Sequence, residues 1–185
     1  MADDKKPPTL PGLIGDKVYL RFATAEDVAN THHWYLLSDP HLLSPEAPTF
    51  LTPAEAAEAF RKQERSSAHE RFTVIRLKDK TPVGWVRFFD LNPHNRSAAL
   101  EVVIDPDERK KGHGIEAMRI LCRYLFEYRG LNKVYARIAD RNQAMVSLLK
   151  KAGFQRDGTL RRHYFYKGEY EDGSLYSLLR FEAQR

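Results

Sequence analysis

The chain carries a single cysteine in 185 residues, no apolar run of membrane-spanning length, no long basic run, no repeat and no low-complexity tract. Each absence removes a class of protein. One thiol, Cys122, permits neither an internal disulfide nor a thiolate metal cluster, which suits a reducing compartment. Cys122 stands among Met118, Leu121 and Leu125 at helical spacing and reads as core filling rather than as a nucleophile. No stretch approaches the roughly 20 apolar residues that a bilayer-crossing helix needs, so no membrane partner is expected. The opening MADDKKPPTLPG lacks the apolar segment of a secretory signal, and the expected location is cytoplasmic. No histidine spacing marks a metal site. Lysine and arginine (30) exceed aspartate and glutamate (25), and the net charge of +5 favours anionic partners. Acids are interleaved with the bases throughout, so direct nucleic-acid readout is not expected, and a phosphorylated cofactor is the other candidate.

What is present has a readable order. Residues 1–15, with their prolines and glycines, suggest a flexible lead-in to one domain over residues 16–185. Val18–Phe22 reads as a first strand, and Thr24 with Asp27 three positions on opens a helix to about Leu37. Three prolines make 38–48 a loop. Thr52-Pro53 starts a second helix to about Ser66. Phe72–Leu77, Pro82–Leu91 and Ser97–Asp105 follow as strands joined by short turns. A helix with Ile115, Met118, Leu121, Cys122, Leu125 and Phe126 on one face precedes a fifth strand, Val134–Ile138. A short helix, Asn142–Lys151, stops at Gly153, and two last strands lie around Leu160–Tyr166 and Leu175–Phe181. The pattern describes a mixed sheet with helices on its faces.

The most informative stretch is V-V-I-D-P-D-E-R-K-K-G-H-G-I, Val102 to Ile115. A β-branched run ends at Asp105-Pro106, a basic loop with two glycines follows, and a helix begins. The first N–H groups of a helix have no partner within it, and the macrodipole adds positive potential there. Such a junction binds phosphate. Gly112 and Gly114 let a pyrophosphate approach the main chain, and Arg109, Lys110 and Lys111 add charge. The alternative is a basic turn capping an ordinary strand–helix junction.

R-K-K-G-H-G at 109–114 in this element order resembles the GNAT acetyltransferase superfamily, whose cofactor loop reads Q/R-x-x-G-x-G/A. G-I-E-A at 114–117, N-Q-A-M-V-S-L-L-K-K-A-G-F at 142–154, D-G-T-L-R-R at 157–162 and G-E-Y-E-D at 168–172 resemble its ribosomal-protein N-terminal acetyltransferase branch. The resemblance implies a single-domain α/β (α+β) GNAT fold. Its sheet is mixed, mostly antiparallel and seven-stranded, with about four helices and a V-shaped splay between strands four and five. It implies acetyl-coenzyme A as co-substrate, no metal, and a primary amine as acceptor, on a small molecule or a protein N-terminus. Homodimerisation is also implied, and nothing in the sequence decides it. Main-chain groups of Val102, Val103 and Ile104 would pair with the pantetheine arm. Arg109, Lys110, Lys111, Gly112, His113, Gly114 and Ile115 would surround the pyrophosphate. Asn142 would lie near the thioester, cap its helix, or do both.

Acyl transfer from a thioester needs a neutral amine, a polarised carbonyl and a proton for the leaving thiolate. The usual acid and base of the superfamily are missing from their places, where Leu149, Met145 and Arg137 stand. Glu101 is the candidate base, or else a solvent-facing strand residue. Tyr164 is the candidate acid, or else packing. Ser147, Tyr166, Tyr176 and His113 are weaker candidates, and positioning alone supplies much of the rate in any case. The region from Tyr35 to Phe50 would shape the acceptor pocket. A catalytically weak acyl-CoA-binding module is the competing reading.

Overall fold

The computed structural model describes residues 12–38, 50–62 and 69–183. In chain order the elements are β1 (Val18–Phe22), α1 (Ala25–Leu37), α2 (Pro53–Lys62), β2 (Glu70–Arg76), β3 (Pro82–Asn92), β4 (Ser97–Ile104), α3 (His113–Glu127), β5 (Lys133–Ala139), α4 (Gln143–Lys151), β6 (Gln155–Tyr166) and β7 (Glu169–Leu179). The seven strands form one sheet in the order β1-β2-β3-β4-β5-β7-β6. Every pairing is antiparallel except β4 with β5. That parallel ladder has only three rungs, Ser97–Lys133, Ala98–Val134 and Ala99–Tyr135. Beyond them β5 continues in register with β7 through Ala139 while β4 stays with β3 through Ile104. The sheet therefore opens into a V from Leu100 onward.

Helices cover both faces. Residues directly opposite each other in a sheet share a face. Leu100 and Val102 of β4, with Val134, Ala136 and Ile138 of β5, enter the main core beneath α3 and α4. Met118, Leu121 and Leu125 of α3 are fully buried there, as the helical spacing of their positions requires. The opposite face carries Arg71, Thr73, Trp85, Arg87, Glu101 and Val103, linked rung by rung across β2, β3 and β4. Trp34 of α1 packs there against Trp85 and Val103.

Local signals in the chain become caps. Thr24 and Asp27 form a reciprocal capping box at α1, with the Thr24 N–H donating to the Asp27 carboxylate at 2.7 Å. Thr52 and Glu55 repeat it at α2.

Several boundaries differ from expectation. The expected lead-in runs to residue 15, yet Leu13 is 1% exposed and its carbonyl accepts the Leu20 N–H, while Arg123 donates to the Gly12 and Ile14 carbonyls. The buried Leu13 side chain and the Arg123 hydrogen bonds together dock this segment. The α3 helix starts at His113 rather than Ile115, because the glycine cap sits at Gly112. The β6 strand begins five residues before Leu160, its first half polar and broken by register shifts that erase the alternation. β7 spans Glu169–Leu179 rather than Leu175–Phe181, since Arg180–Ala183 turns back onto Leu179. Residues 1–11, 39–48 of the expected proline loop and 63–66 of the expected second helix lie outside the described residues. No described helix is long and apolar enough to cross a membrane.

Since Leu121 is wholly enclosed on the helix that also carries the glycine loop, Leu121→Ala is expected to lower unfolding free energy by about 2–5 kcal/mol. Urea denaturation followed by circular dichroism measures it.

Candidate active site

The glycine loop joins the end of β4 to α3. A 3₁₀ turn, Pro106–Glu108, follows β4 and is capped by Asp105, which accepts the Asp107 N–H at 3.1 Å. Lys110 then adopts a left-handed conformation at φ 62°, and Gly112 does so at 92°. Gly112 is the N-cap of α3 and offers no side-chain acceptor. The first-turn N–H groups of His113, Gly114 and Ile115 are therefore left to a ligand. Gly114 is required by space: a Cβ there would stand 3.0 Å from Leu148 Cδ1 and 3.1 Å from Ile104 Cγ1.

The loop is braced from beneath. Glu108 meets Arg76 at 2.8 Å, Lys111 at 3.1 Å and the His113 ring at 3.4 Å. The His113 ring is buried, and desolvation keeps its pKa below the usual histidine value despite Glu108. It supports the loop from inside and offers a ligand only its backbone N–H. Lys17 donates to the Lys111 carbonyl at 3.2 Å, and the backbone N–H of Lys17 is itself held by Glu116 at 3.1 Å. Lys17, Arg76 and Glu108 were missed in the sequence, where strand and loop are far apart.

Arg109 turns back. Its Nε donates to the Ile104 carbonyl at 3.2 Å and its Nη2 to Ser38 Oγ, so it ties the loop to β4 and to the end of α1. The rest of β4 can be oriented from one bond. The Asp105 N–H donates to the Val83 carbonyl on β3, and the Val103 carbonyl lies against Gly84 of that strand. Main-chain groups alternate along a strand. Those of Glu101 and Val103 therefore point to β3, and those of Leu100, Val102 and Ile104 point into the V. Of the expected trio, Val102 and the Ile104 N–H face the opening, while Val103 contributes a side chain to the Trp34–Trp85 cluster.

Glu101 and Tyr164 lie on the same face of the sheet, on opposite arms of the V. Glu101 is 7% exposed and ion-paired to Arg87, the residue directly across on β3. It is not the solvent-facing strand residue of the alternative reading. Tyr164 pairs with Glu171 on β7 and folds over Gly173, where a Cβ would collide with its ring. Gly173 in turn pairs with Ala139 of β5. The Tyr164 hydroxyl is buried without a hydrogen-bond partner, and burial pushes its pKa up to about 12.

Asn142 caps α4, its Oδ1 accepting the Met145 N–H at 3.0 Å. Tyr176 belongs to the core, Tyr166 lies under the Arg141 guanidinium at 3.3 Å, and Ser147 is exposed on α4. Burial pushes the Cys122 thiol far above its ordinary range. Among the described residues, no cluster of His, Cys, Asp and Glu could hold a metal ion. Of the expected acceptor region Tyr35 to Phe50, residues 39–49 lie outside the described ones.

A sheet split at a short parallel junction, with an uncapped glycine-loop helix at its mouth, is shared with known proteins. The acetyltransferase (GNAT) domain profile matches residues 17–155. The chain belongs to the GNAT acetyltransferase family. It is 30% identical over 118 residues to the spermidine N(1)-acetyltransferase of Vibrio cholerae, spanning 64% of this chain and 68% of that protein. It is 25% identical over 170 residues to YokL, an uncharacterized prophage-derived N-acetyltransferase of Bacillus subtilis, spanning 92% and 94%. The crystal structure of the V. cholerae spermidine N-acetyltransferase with CoA and spermine shares the fold, with TM-score 0.83 and 24% identity over 92% of this chain and 100% of that one. As a GNAT enzyme the chain is an N-acetyltransferase that uses acetyl-coenzyme A. The open first turn of α3 and the unpaired edge of β4 both fit that co-substrate.

The two loop glycines serve different physical needs, and variants separate them. Gly114→Val drives α3 away from Ile104 and Leu148, and overpacking of ~1–3 kcal/mol lowers acetyl-CoA affinity about 10–100-fold. Gly112→Ala keeps the space but meets the left-handed penalty of about 1–2 kcal/mol. Calorimetric titration with acetyl-CoA reads both, and unchanged affinity in Gly114→Val would move the cofactor elsewhere.

Proposed function

We propose that the chain acetylates a primary amine on a small molecule by direct attack in a ternary complex, with Tyr164 as general acid. The observation that carries this reading is the buried Tyr164 hydroxyl, unpartnered and protonated, on the arm of the V opposite Glu101. The spermidine acetyltransferases among its relatives support a small-molecule acceptor. The likeness of 142–154 and 168–172 to the ribosomal-protein branch makes a protein N-terminus the second acceptor to test.

In this reading acetyl-CoA supplies the activated thioester, and the chain's own groups place it. The first-turn N–H groups of α3, with Gly112 as their cap, hold the pyrophosphate, and Lys110 and Lys111 supply charge. Val102 and the Ile104 N–H hold the pantetheine arm as an added strand would. The Asn142 cap sets the start of α4 beside the thioester end. Glu101 draws the incoming ammonium to the V and takes its proton through water. Its carboxylate is already ion-paired to Arg87, and positioning supplies a large part of the rate. Tyr164 returns a proton to the departing thiolate.

A module that binds acyl-CoA without turnover would have no use for a buried phenol held over Gly173, and the acetyltransferase relatives weigh against it. One domain including residues 12–15, a cytoplasmic location and a homodimer complete the proposal. Light scattering checks the last.

A free-thiol assay with acetyl-CoA and a panel of amines and N-terminal peptides tests the activity, and silence across the panel would overturn it. Tyr164→Phe is expected to lower kcat about 100-fold with acetyl-CoA affinity unchanged. Because Tyr164 keeps its proton until the pH nears 12, its loss should leave the shape of the pH–rate profile in the neutral range intact. Glu101→Gln should slow turnover with little change in acetyl-CoA affinity.

A further inference from the structure

The acceptor face of the sheet holds more positive charge than its carboxylates answer. Arg21 pairs with Asp27 at 2.7 Å, Arg87 with Glu101, and Arg137 with Asp90 at 2.8 Å. Arg71, on the same face at the start of β2, has no carboxylate at ion-pair distance among the described residues. Its guanidinium lies 4.2 Å from the centre of the Trp85 ring, and among the described residues it makes a 3.5 Å contact with Thr31 Oγ1. Burial and the neighbouring Arg87 lower its pKa to about 10, the mark of a desolvated cation. Beside it the Trp85 indole N–H is buried without an acceptor. A guanidinium with five donors and an indole with one thus stand together, and among the described residues Glu101 and Asp27 act on the guanidinium only from beyond ion-pair distance.

We propose that Arg71 and the Trp85 N–H form an anion site in the acceptor pocket, and that the preferred acceptor is a primary amine carrying its own carboxylate or phosphate. The proposal rests on the acyl-transfer reading above. Geometry sets the length of the acceptor. Arg71, Arg87 and Glu101 form one rung across β2, β3 and β4, so two strand spacings, about 10 Å, separate Arg71 from the strand that edges the V. An amine at Glu101 and an anion at Arg71 match the two charges that this rung presents. A polyamine such as spermidine would place a second cation against Arg71 and be repelled.

The test compares ω-amino carboxylic acids of graded length, their neutral amides, ω-aminoalkyl phosphates and spermidine in the thiol-release assay. The comparison uses wild type, Arg71→Met and Arg71→Lys. An acid of matching length should exceed its amide in kcat/KM at least about tenfold, a difference of 1.4 kcal/mol. Arg71→Met should abolish that preference through KM, the acid losing far more than the amide, and Arg71→Lys should restore part of it. A preference for phosphates over acids of equal length would identify the anion as phosphate. Equal use of acids and amides, spermidine as the best acceptor, or selectivity unchanged in Arg71→Met would overturn the anion site and leave the acetyltransferase reading standing. If no amine releases thiol, tryptophan fluorescence of CoA-loaded protein titrated with the same acids decides. Saturable quenching lost in Arg71→Met supports the site, and no quenching in wild type overturns it.

Discussion

The three-rung parallel ladder between β4 and β5 is the constraint on which the rest of the molecule depends. A longer ladder would satisfy the main chain of Val102 and Ile104 and leave no edge for a ligand. A shorter one would leave less to hold the two halves of the sheet together, where on the acceptor face the Arg137–Asp90 ion pair reaches across β4 from β5 to β3. The length of the ladder is set from both sides. β5 gives seven consecutive residues to β7, and the Arg109 side chain takes the Ile104 carbonyl, so the last residue of β4 keeps only its N–H for a partner. The opening is therefore a product of competing partners. Ligand backbone pairing is its natural completion, because a strand edge with unsatisfied groups inside a protein is costly.

The two faces of the sheet divide the labour. Beneath α3 and α4 the core is apolar, and the cofactor loop rests on it through glycines and main chain, with charge supplied by a brace of Arg76, Glu108, Lys111 and Lys17 that locks the loop before any ligand arrives. The opposite face carries its charges on side chains arranged by rung. Pre-set backbone donors suit a co-substrate whose phosphates never vary. Side chains suit an acceptor, because a single substitution on a rung changes the charge presented without disturbing a strand. The glycine loop accordingly uses main chain, whereas Arg71 and Trp85 present side chains on the opposite face.

Helix starts, the apolar stripe of α3 and the Gly112–Gly114 loop were legible because each is a local signal: a cap, a period or a backbone conformation. The N-terminal docking of Leu13 was not, since it depends on Arg123, more than a hundred residues away. The first half of β6 was hidden by exposed polar residues and two register shifts. The direction of Val103 could not be read either. Its chemistry equals that of Val102, and only the Asp105–Val83 hydrogen bond fixes which of the two faces the V. The sequence placed Glu101 and Tyr164 on separate strands. That they share a face follows from pairings across five strands, which no single-strand pattern encodes.

The departure of the catalytic groups from their usual places has a physical consequence. Where Leu149 stands, the side chain is apolar and fully buried, so that position offers no hydroxyl. In the proposed reading the proton donor comes from the other arm of the V, where Tyr164 lies over Gly173. The same burial that raises its pKa makes it a poor donor to water and a better one to a thiolate held in contact, where the developing charge is equally desolvated. Glu101 shows the complementary compromise. Its carboxylate is answered inside the sheet by the Arg87 guanidinium across the rung, which in the proposed reading suits a group that attracts an ammonium. An enzyme built in this way gains most of its rate from holding amine and thioester together. It would therefore be more sensitive to the fit of its acceptor than to the strength of its acid and base.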